Sequence, residues 1–459
     1  MKKLSFKIAA AVLAVAACFA AFAGCGGGGS TNVDELRYDP ETVDYNMTGT
    51  VRVWWGPMDY MKEPLESAIE AFNKKFPKVE IVPEYQLSSD YYEALNLAYM
   101  NNTAPDVIRM DHVLLQSLGE SKRVVNLETL TEGKVSQMEE DKFLPAAWDG
   151  VSITDNVYGF PFDTNTTLLM YNEVICKEVF GENYTPPTNY DELVEQSKQV
   201  YNYESNGTHP YKGLVMAIAA SGTEHDIYVL NGWLNRFGAT ILNDDRSAAT
   251  LDTPQAIEAM QKLVDMVNDG AVQYVGYAPT LENEFLYNGT TAFIEMGSWV
   301  YNTIQLLDND GDGESDIKIA PMPELKDGVP GYATLGLFGL GITNQCEAEN
   351  IPAAYEFIKF LATDYDSQLN YAKSSNTMPT LIEGQDDPYY SEGENAEFWQ
   401  AFKDQLQLSL PRPGTMLWPE ITEQLESMER MLMAGRYSVA EIMQNTTDAI
   451  NELIADMRG

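Results

Sequence analysis

The densest chemistry in the chain is one acidic run, Asp308-Asn309-Asp310-Gly311-Asp312-Gly313-Glu314-Ser315-Asp316. Asp308, Asp310, Asp312 and Asp316 stand at loop positions 1, 3, 5 and 9, with Gly313 at 6 and Glu314 between. Hard carboxylate oxygens at alternate positions converge on a calcium ion when a glycine permits the sharp turn. The twelfth position is Ile319 and not the usual bidentate Glu, so a remote acid has to complete the shell. The alternative is a solvated acidic turn. Either way the loop is structural, and no cofactor is expected for function. Signs of catalysis are sparse. The chain has three histidines, His112, His209 and His225, and no His-x-x-x-His pair. It has no Gly-x-Ser-x-Gly elbow, no Gly-x-Gly-x-x-Gly turn after a strand and no Walker-type loop. Its 69 Asp and Glu make chance carboxylate pairs unavoidable. A glycosidase pair across a cleft therefore stays open as the enzyme alternative.

The start of the chain is an address. Lys2, Lys3 and Lys7 precede an apolar run from Ile8 to Phe22, then small residues. This is the pattern of an export signal, too short for a comfortable membrane-spanning helix. Ala23-Gly24-Cys25 resembles the lipobox of bacterial lipoproteins, with Phe22 where Leu is usual. The resemblance implies a signal peptide over 1–24, cleavage before Cys25, and diacylglycerol on its thiol. Residues 25–48, opening with Gly26-Gly27-Gly28-Gly29-Ser30, read as a leash from the outer face of the cytoplasmic membrane. Ordinary signal cleavage, with Cys25 a bystander, is the other reading. Without residues 1–24 the chain keeps 26 Lys and Arg against 69 Asp and Glu, a net charge of about −43. Such a surface repels nucleic acid, whose binding needs cations on phosphates. It suits solubility and mutual repulsion at a cell surface, and a monomer is expected. Cys176 and Cys346 remain, as a disulfide or as two buried thiols, and the thiols are expected.

The elements that must position any site alternate. Thr50 to Trp55 reads as a strand, followed by a helix with Leu65, Ile69, Phe72 and Phe76 on one face. Val79 to Pro83 is a strand, Tyr91 to Asn101 a helix, and Asp106 to Met110 a third strand. This rhythm predicts a parallel α/β sheet. It recurs later: Thr188 is read as the cap of a helix reaching Val200, and Thr253-Pro254 opens another ending at Gly270. The C-terminus is helical, with stripes at Ile421, Leu425, Met428, Leu432 and at Ile442, Ile450, Leu453, Met457.

Five motifs in register carry a family likeness. They are Thr103-Ala104-Pro105-Asp106-Val107-Ile108, Tyr158-Gly159-Phe160-Pro161 with Leu169-Met170-Tyr171-Asn172, Pro187-Thr188-Asn189-Tyr190-Asp191-Glu192-Leu193, Asn288-Gly289-Thr290-Thr291-Ala292-Phe293, and Gly297-Ser298-Trp299. The chain from Thr50 onward resembles the extracellular solute-binding proteins of ABC importers, the sugar-binding family that includes maltose-binding protein. The resemblance implies an α/β, two-lobed periplasmic-binding-protein-like fold with an interlobe ligand cleft and a hinge. Lobe one is placed at 49–162 and 320–378, lobe two at 163–319 and 379–459. It also implies a carbohydrate, most simply an oligosaccharide, handed to the transmembrane subunits of an ABC permease.

A neutral sugar packs its C–H faces on aromatic rings and pairs its hydroxyls with polar groups. Trp55 ends the first strand near Asp59, and alternation assigns Trp54 to the core and Trp55 to the cleft. Asp111, Trp299 and Trp418 correspond to family ligand positions; Asp163 and Asn165 follow the crossover motif, with Asn165 at the spacing nearest to a family acid; Arg412 is placed to donate to the same ligand as Trp418; and Glu224 and Trp233 follow from a Gly-containing loop and the helix after it. Trp148 and Trp399 are assigned to packing. Two further alternatives stand beside the sugar binder: a surface-anchored glycoside hydrolase, and a binding lipoprotein for a polyamine or peptide. Chelation tests the acidic loop. EDTA is expected to lower the melting temperature of the exported domain if calcium is bound, because removing a native-state ligand destabilises; an unchanged value means an ion-free turn.

Overall fold

The computed structural model describes residues 35–56, 59–86, 91–205, 207–219, 225–275, 288–308, 311, 313–326, 328–393 and 395–458. The export signal, Cys25, Glu224, Asp310 and Asp312 lie outside them. Among the described residues no helix is long and apolar enough to cross a membrane.

In chain order the strands are β1 (Gly49–Trp55), β2 (Val79–Tyr85), β3 (Val107–Asp111), β4 (Ser152–Ile153), β5 (Asn156–Val157), β6 (Phe160–Asn165), β7 (Thr167–Asn172), β8 (Lys212–Ala217), β9 (Val272–Val275), β10 (Thr291–Gly297), β11 (Ile317–Ala320), β12 (Ala333–Ile342), β13 (Met378–Pro379) and β14 (Ser409–Pro411). One sheet runs β13-β6-β12-β3-β1-β2, with β14 beside the start of β12; the other runs β11-β7-β10-β8-β9. β1 is parallel to β2 and β3, and β8 to β9 and β10. The all-parallel expectation fails at β12, at β7 and at β13, which is antiparallel to β6. β12 is antiparallel to β3 and β6, and β7 to β10 and β11. Each is the strand by which the chain enters a sheet from the other lobe, so it arrives from the opposite end.

Each sheet has its own core. Val51, Val53, Phe72 and Phe357 pack between the first sheet and helices Asp59–Lys75 and Ile351–Thr363. Leu169, Val215, Trp233, Phe293 and Leu425 pack around the second sheet with helices His225–Arg236 and Trp418–Ala434. Cys346 lies in the first core and Cys176 in the second; both are buried and neither forms a disulfide among the described residues, and burial pushes the Cys176 thiol up to about 12. The crossings fall a few residues from the expected 162/163 and 319/320. β6 holds Asp163 to Asn165 in the first sheet, Thr166 alone separates it from β7, and Ala320 ends β11 in the second sheet. Residues 35–48 are not a free leash. Leu36, Tyr38, Val43 and Met47 pack on the first core, and the Tyr38 hydroxyl donates to Glu356 at 2.8 Å.

Local chemistry sets the helix starts. The cap of helix Tyr190–Asn202 is Asn189, whose side chain accepts from Glu192 N at 3.0 Å. Thr188, expected in that role, sits one residue earlier; its backbone N–H and hydroxyl both donate to Glu192. Thr253 caps helix Pro254–Asn268 as its sequence predicts, with Pro254 in the first turn.

One buried polar group ties lobe two together. The Arg236 guanidinium spans Glu295 with two bonds, 2.9 and 2.8 Å, and its Nε donates to Tyr332 O at 2.7 Å. The Tyr190 hydroxyl donates to Glu295 and accepts from Arg236. This fastens helix His225–Arg236 to β10 and to the segment returning to lobe one. Removing one partner strands a buried charge, so Glu295→Gln is expected to cost about 3–5 kcal/mol in urea denaturation. A loss below about 1 kcal/mol would mean that the network is dispensable.

Candidate functional site

The register of the first sheet brings two acids to one place. Phe338 on β12 stands opposite Asp111 on β3 and Asp163 on β6, with a bulge directly after it. These strand ends floor a cavity of about 650 Å³ lined by both lobes. That volume lies within the range of small-ligand sites. A larger groove of about 740 Å³, between residues 40–45 and helix Ile351–Thr363, holds none of the expected site residues.

Lobe one supplies Tyr60, Tyr91, Tyr92, Arg109, Phe338 and Tyr371; lobe two supplies His225, Tyr228, Trp299 and Thr422. Asp111, Asp163, Asn165 and Arg412 also line the cavity. Trp299 keeps its place because of Gly297: a Cβ there would lie 1.8 Å from the indole, so only glycine lets the ring fold back over the strand end. Its neighbour Ser298 donates to Asn376 O at 2.6 Å, a bond between the lobes beside the cavity. His225 and Tyr228 stack with ring planes 8° apart, and both meet Trp299 edge-on.

Both cations of the cavity are neutralised within it. Arg109 holds Asp163 Oδ2 through Nε at 3.1 Å and Nη2 at 2.8 Å, and its guanidinium lies 3.8 Å over the Phe338 ring. Arg412 holds Asp111 at 2.6 Å and stands 5.6 Å from the Tyr228 ring centre. Asp111 also caps helix His112–Glu120, accepting from Val113 N. The two acids titrate in opposite directions. Burial pushes the Asp163 carboxyl up against the pull of Arg109, with Asp111 adding to the rise. Burial would raise Asp111 too, but Arg412 and His112 outweigh it and hold that carboxyl well below the usual range. Burial, then Arg412, bring His225 down to about 4, so it is neutral at neutral pH. Asp163 Oδ1 is buried and has no hydrogen-bond partner among the described residues.

Of the expected ligand residues, Asp111, Asp163, Asn165, Trp299 and Arg412 come together in this cavity. Trp55, Trp233 and Trp418 do not reach it. Each is fully buried. Trp55 does point away from Trp54, but helices cover both faces of that sheet, and its indole N–H donates to Met61 O. Trp233 bonds Ala259 O inside the lobe-two core. Trp418 opens helix Trp418–Ala434 facing that core, and Pro419 takes the cavity side. Asp59 begins helix Asp59–Lys75, and its side chain and Glu224 lie outside the described residues. In the acidic loop, Asp308 accepts from the backbone N–H of Gly311 and Gly313, Glu314 pairs with Lys318 at 3.0 Å, and Asp316 is buried. Among the described residues no three His, Cys, Asp or Glu side chains group as a metal site.

Sequence reasoning missed Arg109 and the tyrosine walls. An arginine in the middle of a strand that also reads as buried needs an acid beside it, and that signal was available. So was the abundance of tyrosine, 26 residues against seven tryptophans.

Two α/β lobes around a cleft that buries paired charges and aromatic faces define a ligand-capture protein. The chain belongs to the bacterial extracellular solute-binding protein family, whose model matches residues 67–397. It is 24% identical over 348 residues to the maltotriose-binding protein of Pyrococcus abyssi, covering 74% of this chain and 68% of that one. It is 24% identical over 359 residues to the arabinooligosaccharide-binding protein of Halalkalibacterium halodurans, covering 76% and 74%. The cyclic alpha-maltosyl-1,6-maltose binding protein of Arthrobacter globiformis shares its fold, with a TM-score of 0.74 at 21% identity over 89% of this chain and 100% of that one.

The Asp111 shift has a signed consequence. Its folded value lies below its unfolded one, so its stabilisation is complete above about pH 4 and is lost as pH falls toward the folded value. Asp111→Asn should flatten that acid limb of a melting-temperature profile. An identical acid limb in the variant would mean that the Arg412 pair does not set it.

Proposed function

We propose that this chain is the substrate-binding component of an ABC importer that captures an uncharged carbohydrate, most simply an oligosaccharide. It delivers the cargo to the transmembrane subunits of a membrane permease. Lipid on Cys25 holds it at the outer face of the cytoplasmic membrane. The observation that carries this reading is the internal pairing of charge in the cleft. Arg109 and Arg412 are each bound by an acid of the cleft, so neither is free to neutralise an anionic ligand. Asp111 and Asp163 are likewise engaged; of the other acids in the lining, Glu93 and Glu426, the latter pairs with Arg430 at 3.2 Å. What remains is suited to a polyol: aromatic faces for C–H surfaces, and the unpartnered Oδ1 of Asp163 to accept a hydroxyl. Relatives that bind maltotriose and arabinooligosaccharides support the same class.

The cargo is held and not transformed. The relatives that support this reading are binding proteins and not enzymes. Sugar-induced fluorescence change without product separates the binder from a glycoside hydrolase.

Titration calorimetry of the leaderless protein against maltotriose, arabinooligosaccharides and spermidine tests the reading. A saturable heat is expected with one of the oligosaccharides and none with spermidine; binding of spermidine alone would overturn it. Trp299→Ala is expected to weaken sugar affinity by about 1–3 kcal/mol with folding intact. Trp418→Ala is expected instead to destabilise the fold by about 3–5 kcal/mol, since the ring fills a core. The reverse pattern would displace the site.

A further inference from the structure

The chain passes between lobes at points that lie side by side. Thr166 links β6 to β7, β12 begins at Ala333 after the return, and β14 pairs with Ala333 to Leu335. Small hydroxyls knit these strands together. Thr166 Oγ1 is 2.6 Å from Ser409 Oγ and 3.2 Å from Thr334 O, and Thr164 Oγ1 donates to Gly336 O at 2.8 Å. A bending region needs backbone that can shift while its buried polar groups stay paired.

Helix His225–Arg236 lies across this seam. Gly232 lets it approach, since a Cβ there would come within 3.2 Å of Thr334 N. Asn231 Nδ2 reaches Thr334 Oγ1 and Leu410 O, each at 3.3 Å. Thr334 Oγ1 donates back to Tyr228 O at 2.6 Å. Tyr228 itself faces two ways. Its ring forms part of the cavity wall against His225 and Trp299. Its hydroxyl donates to Thr334 O at 2.8 Å and lies 3.3 Å from Asn165 Oδ1. Asn165 and Thr334 belong to the strands that leave lobe one and return to it.

We propose that Tyr228 is a positioning residue that couples an occupied cleft to the hinge, through a ring that meets the ligand and a hydroxyl that holds both crossing strands. A ligand packed on the ring fixes the angle of the phenol, and with it the placement of helix His225–Arg236 over Asn165 and Thr334. Without the hydroxyl the ring still binds, but the hinge loses the strut that sets its angle. The inference rests on the proposed cleft reading for its ligand, but the strut is testable without one.

The test uses spin labels on the leaderless protein at Lys78→Cys in lobe one and Lys262→Cys in lobe two, with double electron–electron resonance distances. Tyr228→Phe keeps the ring and removes the hydroxyl. It is expected to broaden the interlobe distance distribution of the unliganded protein without lowering its melting temperature by more than a few degrees. It should also raise the dissociation rate of a bound sugar several-fold. Asn165→Ala, which removes the weaker acceptor, should broaden the distribution in the same sense and by less. Distributions in both variants superimposable on the parent would overturn the proposal. Broadening in the absence of ligand, together with no response of the parent to any sugar, would sustain the strut and remove the carbohydrate reading instead.

Discussion

The structure turns on strand β12. It pairs with β3 on one edge and with β6 on the other, and its first residues also hold β14. Helices press on it from outside: Leu115 of helix His112–Glu120 lies where a Cβ at Gly339 or Gly341 would fall, at 2.6 Å in each case. Glycine at those positions lets that helix settle against the sheet, which carries Asp111 to the cleft as its cap. Gly336 does the same for Asn165, whose Oδ1 would lie 2.0 Å from an added Cβ. One ten-residue strand thus sets the floor of the site, the seat of the helix above it and the start of the hinge.

Charge in the cleft follows from that placement. Asp111 and Asp163 flank Phe338, and two acids so close, partly out of water, require cations. Arg109 supplies one from the neighbouring strand, packed over Phe338; Arg412 supplies the other from the segment after β14. The result is a cavity in which, among the described residues, both arginines are held by acids. The chain as a whole, by contrast, is strongly acidic, with 69 Asp and Glu against 29 Lys and Arg.

Much of the second lobe serves to present a few rings. The Arg236–Glu295–Tyr190 group fixes helix His225–Arg236, so His225 and Tyr228 at its start hold a defined angle to Trp299. A buried ionic group of this kind contributes little net stability relative to an apolar core but fixes one arrangement over others, which a binding wall needs.

Local sequence signals specified the alternation of strands and helices, the order of the motifs, the helix start at Thr253-Pro254, and four polar residues of the cleft, Asp111, Asp163, Asn165 and Arg412. These are local matters: periodicity, capping chemistry and strand ends are written within a few residues. Sequence reasoning misjudged the tryptophans. Trp55, Trp233 and Trp418 sit at strand ends or on helices as a ligand platform would, and only the packing of distant helices shows that both faces are covered. It missed Arg109, Tyr228 and Tyr371, because their role depends on partners from 54 residues away, as with Asp163, to 106, as with Thr334. It also read 25–48 as a leash, although Tyr38 finds Glu356 across 318 residues. Residue type and spacing specify what a side chain offers. Which groups meet, and which of them face the cleft, is fixed by long-range strand register and by the helices laid over it.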